Sequence, residues 1–191
     1  SDLTYRWLDH GKDKTGWGRI FDAKKPEQEQ INSAPATSKV LQSAIDLIKE
    51  FEDCDLNAYR DPLSGNLPIT IGYGSTRRKD GTLFLLGQKI TQQEADDLLI
   101  YQLQNDYLPS LQKIPYWNEM NDNQKSALIS FSYNLGANFY GNDGFDTITR
   151  VLRNKEWNKV PDTFMFYVNP GTNVEVGLRR RRKAEGALWS K

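Results

Sequence analysis

The chain has 191 residues, with 25 Lys+Arg against 25 Asp+Glu, so its formal net charge is zero. That balance argues against a dedicated nucleic-acid binder, which carries a clear basic excess. The length supports one good hydrophobic core, or one core with a small appendage. A single cysteine, Cys54, and a single histidine, His10, exclude an intramolecular disulfide and offer no credible zinc site, so no metal is expected.

No stretch approaches the roughly 20 apolar residues of a membrane span. The N-terminal region is polar and charged and shows no secretory signal. Residues 1–36 differ from the rest: TYRWLDHGKDKTGWGRIFDA reads as a hairpin with aromatic flanks, and KKPEQEQINSAPA reads as a linker. This piece is too short to stand alone. We therefore expect an N-terminal arm and linker over 1–36, and a main domain over 37–191.

In the main domain Ser38 is placed as an N-cap, and Leu41, Ala44, Ile45, Ile48 and Phe51 recur at helical spacing, so a helix delivers Glu52 at its C-terminal end. Residues 56–86 read as short strands and turns: Pro62, an SGN turn, the ITIGYG run, a DG turn at 80–81, and LFLL. Helices return at Thr91, where TQQE forms a capping box for a helix through Leu98, Leu99 and Leu103 to about Pro109. NDNQ at 121–124 opens another helix, apolar through Ala127, Leu128 and Phe131 and stopped by Gly136. Shorter helices are expected over 146–154 and 156–165. A Pro170–Gly171 loop then precedes a last helix from Gly177 to Trp189. The order of helix, small sheet and further helices is an α+β pattern with the sheet confined to one lobe.

Two carboxylates, Glu52 and Asp61, stand nine positions apart, and the hydroxyl of Thr70 follows nine later. One acid ends a helix and the other opens a hairpin, a layout that places two acids across a cleft as glycosidic hydrolysis requires. One carboxyl must keep a proton for the leaving oxygen, and Glu52, beside Phe51 and Ile48, suits that role. Asp61, between Arg60 and Pro62, suits activation of water, with Thr70 positioning the water beside it. Gly72 and Gly74 would let backbone approach a substrate closely.

Each residue also has a plainer reading. Glu52 is equally a solvated helix end, with Glu50, Asp53 and Asp55 as rivals by position; Asp61 is a turn starter and Thr70 a strand residue. Cys54 lies two residues past Glu52 but has no nearby histidine base, so it reads as a small packed residue. The run Arg179–Arg182 spreads around a helix, so only about two of its members share a face. We expect one or two to pair with acids such as Glu185 and the others to be solvated.

The blocks FE at 51–52, AYRD at 58–61 and TIGYG at 70–74 resemble, in order, the signature of the phage-type lysozymes, also called endolysins or muramidases. NDNQKSALISFSYNLG at 121–136 is similar to the family's N-x-x-Q-x-x-A-L-x-S-F-x-x-N-x-G helix, and GLRRRRKAEGALW at 177–189 to its closing G-L-x-x-R-R-x-A-E-x-x-L-W helix. The resemblance covers about residues 38–190. It implies an α+β lysozyme-like fold, with a small β-containing lobe and a larger all-helical lobe around a cleft. It also implies cleavage, without a cofactor, of the β-1,4 bond between N-acetylmuramic acid and N-acetylglucosamine in peptidoglycan. The family's catalytic Glu, Asp and Thr map onto Glu52, Asp61 and Thr70, and Tyr73, Ser75 and Gly72 become substrate-binding candidates.

A monomer is expected that acts on the cell wall, in the periplasm or outside the cell, with peptidoglycan as partner and no nucleic acid. Asp53 stands where the family usually has Gly after the catalytic Glu, and Ser75 where it commonly has His. The stretch between Asp61 and Thr70 is also three residues longer than in the shortest members. The alternative is a catalytically silent lysozyme-like domain that binds peptidoglycan or a protein. The intact Glu–Asp–Thr set argues against it.

Overall fold

A computed structural model describes residues 36–61 and 65–191, the first six of them by backbone only. Nearly all of the expected arm and linker lies outside the described residues. Helix α1, Ala36–Phe51, starts two residues before the expected Ser38 cap. Its apolar stripe of Ala44, Ile45 and Ile48 is buried in the main core. Strands β1, Asp55–Arg60, and β2, Ile69–Gly72, then form a two-stranded antiparallel sheet. Tyr59 stands opposite Thr70 and Arg60 opposite Ile69, with an irregularity between Asp55 and Tyr59. The LFLL run is looser than a strand: Leu83 bridges to Arg77 and Phe84 is buried, while Leu85 and Leu86 face solvent. Ile71, Phe84 and Leu98 make a small separate core beneath this lobe.

Helix α2, Gln92–Gln102, is capped by Thr91, whose side chain accepts from Glu94 N–H at 3.1 Å. The chain stays helical past the expected stop at Pro109. A π-helical turn, Leu103–Tyr107, leads into the short α3, Leu108–Leu111. Proline lacks an N–H and crowds the carbonyl four residues back, so a widened turn before Pro109 lets the helix pass it. The capping box at Asn121 and Gln124 forms in both directions and opens α4, Asp122–Leu135. Gly136, at φ 114°, ends it in a backbone region that L side chains disfavour.

Three more helices follow: α5, Asp146–Arg153; α6, Val160–Phe164; and α7, Glu175–Trp189, which begins two residues before the expected Gly177. Helix α4 is the axis of the molecule, because ten consecutive residues from Ser126 to Leu135 are buried. Phe131 at its centre packs Phe164 at 4.7 Å, Phe139 at 5.0 Å and Tyr167 at 5.4 Å between ring centres. Helices α1 and α7 both pack on α4. The C-terminal end of α1 is thereby fixed against the middle of α7, and this contact builds the site.

Candidate active site

Glu52 is the first residue past α1, with its N–H still donating to Ile48 C=O at 2.8 Å. Its carboxyl meets α7: Arg181 Nη1 donates to Glu52 Oε1 at 2.6 Å. The Glu52 side chain is 21% exposed and that of Arg181 only 4%, so the carboxyl looks outward while the guanidinium holds it from within. Arg181 Nη2 also donates to Ser130 C=O at 3.1 Å. Its Nε lies 3.4 Å from Glu185 Oε2, which accepts from Ser130 Oγ at 2.6 Å. Burial opposes the charge of Arg181, but the fields of Glu52 and Glu185 outweigh it and leave its pKa raised. The rivals are placed differently. Glu50, Asp53 and Asp55 are exposed, and Asp55 serves its own strand by accepting from Asn57 N–H at 3.0 Å.

Asp61 and Thr70 belong to the sheet side of the molecule. Asp61 follows β1 and is 3% exposed, with its carbonyl accepting from Asn66 N–H at 3.0 Å. Thr70, 4% exposed, lies on β2, and its hydroxyl donates to Pro68 C=O at 3.2 Å. Tyr59 stands across the ladder from Thr70. Burial first, then the fields of Asp61, Asp55, Glu52 and Asp53, push its phenol up to about 12. Within AYRD nothing in the local sequence sets Tyr59 apart from other strand aromatics.

The substrate-binding candidates are Gly72, Ser75 and Tyr73. Gly72 has φ 65°, and a Cβ there would lie 3.4 Å from both Ala95 Cβ and Ile90 Cδ1, so its missing side chain lets β2 approach α2. Ser75 is 1% exposed and accepts from Gln102 Nε2 at 2.7 Å. Tyr73 is 7% exposed; its hydroxyl accepts from Gln92 Nε2 at 3.0 Å and its carbonyl from Tyr133 O–H. All three are buried, as Asp61 and Thr70 are. The local reason is that β2 lies over α2 and the start of the helical lobe, turning these residues inward.

The arginine run follows expectation, with two of its members on Glu185 and two exposed. Arg179 pairs with Glu175 at 3.5 Å and Arg180 lies over the Phe51 ring, both exposed, whereas Arg181 and Arg182 are buried. Arg182 donates to Asn134 Oδ1, and its Nε lies 3.0 Å from Glu185 Oε1. The N–H direction there misses the oxygen, so that contact is an ion pair rather than a hydrogen bond. Arg181 was reachable in sequence only as one of four candidates, since which face α7 turns inward depends on its partners. Cys54 is half-buried, and burial raises its thiol pKa, which disfavours a reactive thiolate. Among the described residues no group of three or more His, Cys, Asp or Glu could hold a metal ion, and no helix is long and apolar enough to cross a membrane.

The family model described as phage lysozyme matches residues 49–185. The endolysin of Salmonella phage P22 is 32% identical over 153 residues, which cover 79% of this chain and 97% of that one. The endolysin of Lactococcus phage c2 is 35% identical over 153 residues, covering 80% of this chain but 61% of the relative, so the chain spans less than two thirds of that protein. A solved structure of a P22 lysozyme variant superposes with a TM-score of 0.61 at 29% identity, over 86% of this chain and 100% of that one. The match over both lobes establishes the lysozyme-like α+β fold. This chain belongs to the phage lysozyme family.

Proposed function

We propose that the chain hydrolyses peptidoglycan at the β-1,4 bond between N-acetylmuramic acid and N-acetylglucosamine, acting on the cell wall as a monomer without a cofactor. Glu52 is the general acid that protonates the leaving oxygen. Asp61 and Thr70 hold the attacking water on the far side of the sugar. The observation that carries this reading is the Glu52–Arg181 contact at 2.6 Å. Of the four clustered acids, only Glu52 is half-buried and gripped by a buried partner from another helix; Glu50, Asp53 and Asp55 are exposed. A general acid must be held within hydrogen-bond reach of one oxygen, and a carboxyl fixed by α7 meets that need. The endolysin names of the relatives point the same way.

Asp53 faces solvent, so its charge beside Glu52 is screened by water. Ser75 is sealed against Gln102, so its place in the sequence leaves the Glu–Asp–Thr set intact. Both features that favoured a silent wall-binding domain thereby lose weight.

The test is Glu52→Gln, which keeps an oxygen for Arg181 and removes the titratable proton. Turnover of cell walls should fall about 10²–10⁴-fold with the fold and wall binding retained, while Glu50→Gln stays near wild type. Clearing of walls by Glu52→Gln at the wild-type rate would show that the wrong acid has been chosen. A parallel chitin assay separates muramidase from a related glycan specificity, and wall binding without cleavage by the wild-type chain would establish the silent domain.

A further inference from the structure

We propose that Glu185, buried behind Arg181, is a positioning residue that aims Arg181 at Glu52 and offsets the charge of Arg182. The inference rests on Glu52 being the general acid. Glu185 is 0% exposed and lies one helical turn from both arginines, with Oε2 3.4 Å from Arg181 Nε and Oε1 3.0 Å from Arg182 Nε. Ser130 Oγ locks Oε2 at 2.6 Å from below. Arg181 therefore has its Nε fixed on Glu185 and Nη2 on Ser130 C=O, which leaves Nη1 pointing at Glu52. A guanidinium is planar and rigid, so fixing two of its nitrogens fixes the third.

The second half of the inference is electrostatic. Two adjacent buried guanidiniums stand behind Glu52, and positive charge beside a carboxyl favours the ionised form. Glu185 supplies the compensating negative charge. The coupling is visible on Arg182: burial lowers its pKa to about 10, Glu185 opposes that, Arg181 adds to it, and Glu52 also reaches it. Arg180 of α7 lies over Phe51, next to Glu52 in sequence, and Tyr59 on the sheet side feels the fields of Glu52, Asp61, Asp55 and Asp53. From α4 the partners of this cluster are neutral, Ser130 and Asn134.

The experiment is the pH dependence of kcat on cell walls, with KM measured alongside. Activity of a general-acid enzyme falls as pH rises and the acid loses its proton. Glu185→Gln keeps the shape and an acceptor for Ser130 but leaves Glu52 as the one carboxylate facing two positive charges. The high-pH limb should move down by about one pH unit, a roughly tenfold loss of kcat just above the wild-type limb with KM nearly unchanged. Arg182→Met removes one positive charge and should move the limb upward. Limbs that coincide with wild type in both variants, with only the melting temperature lowered, would overturn the inference. Where a charge variant does not fold, Ser130→Ala decides: it removes only the hydroxyl that locks Glu185, and kcat should fall severalfold at unchanged KM. Wild-type kcat in that variant would overturn the positioning role. Failure of the acid assignment itself registers separately, as retained activity in Glu52→Gln.

Discussion

Thr70 donates its hydroxyl proton to Pro68 C=O at 3.2 Å, which leaves the oxygen lone pairs as acceptors for a water shared with Asp61. On the proposed mechanism this geometry predicts inversion at the anomeric carbon, with the two carboxyl groups about 6.5–9.5 Å apart rather than the roughly 5–5.5 Å of a retaining pair. NMR of the freshly released sugar should show the α anomer first; predominantly β product would make Asp61 a nucleophile. Thr70→Ala should slow turnover about 10²-fold by loosening that water, and full activity in this variant would remove Thr70 from the mechanism. Tyr59 carries a separate prediction. Its pKa is raised, so the neutral phenol is favoured in the folded state and its contribution is complete below the ordinary tyrosine value of about 10. That contribution should be lost as pH rises from about 10 to its folded value of about 12. Melting temperatures should drop across this window more in wild type than in Tyr59→Phe, and identical profiles would contradict the assignment.

The elements succeed or fail according to how local their signals are. The helix start at Asn121, the cap at Thr91 and the stop at Gly136 are satisfied by bonds within three or four residues, and all were legible in sequence. The continuation through Pro109 was not, because the π-helical turn that admits it has no short sequence signature. Gly72 shows the same divide. TIGYG marks a special backbone, but whether its glycine opens toward a substrate or toward a helix depends on what lies across from it. Here that is Ala95. Gly72→Ala should therefore cost about 1–2 kcal/mol of stability, from φ 65° and the close helix contact, with KM for cell walls held near wild type. A large rise in KM with unchanged stability would favour the substrate-contact reading.

At the scale of the molecule, the buried residues of the main core among the described residues run from Ala44 to Trp189, with Ala44, Ile45 and Ile48 supplied by α1. A fragment beginning at Thr37 retains all of them and should fold cooperatively and cleave peptidoglycan. Loss of its cooperative thermal transition would show that Trp7 and Trp17 belong to the core.

The sequence by itself determined the α+β class and the order of helices, and it nominated Glu52, Asp61 and Thr70 for the proposed chemistry. Helical period, caps and turn residues are short-range, and the family blocks run in one chain order. Tertiary structure alone decided the surroundings of those residues. Arg181 reaches Glu52 from 129 positions away, Glu185 and Ser130 brace it from two helices, and Ser75 and Gly72 turn inward. The four arginines at 179–182 are identical letters, and two became buried partners while two stayed in solvent. A helix shows every residue to some direction, and only the packing of α7 on α4 and α1 determines which direction is the interior.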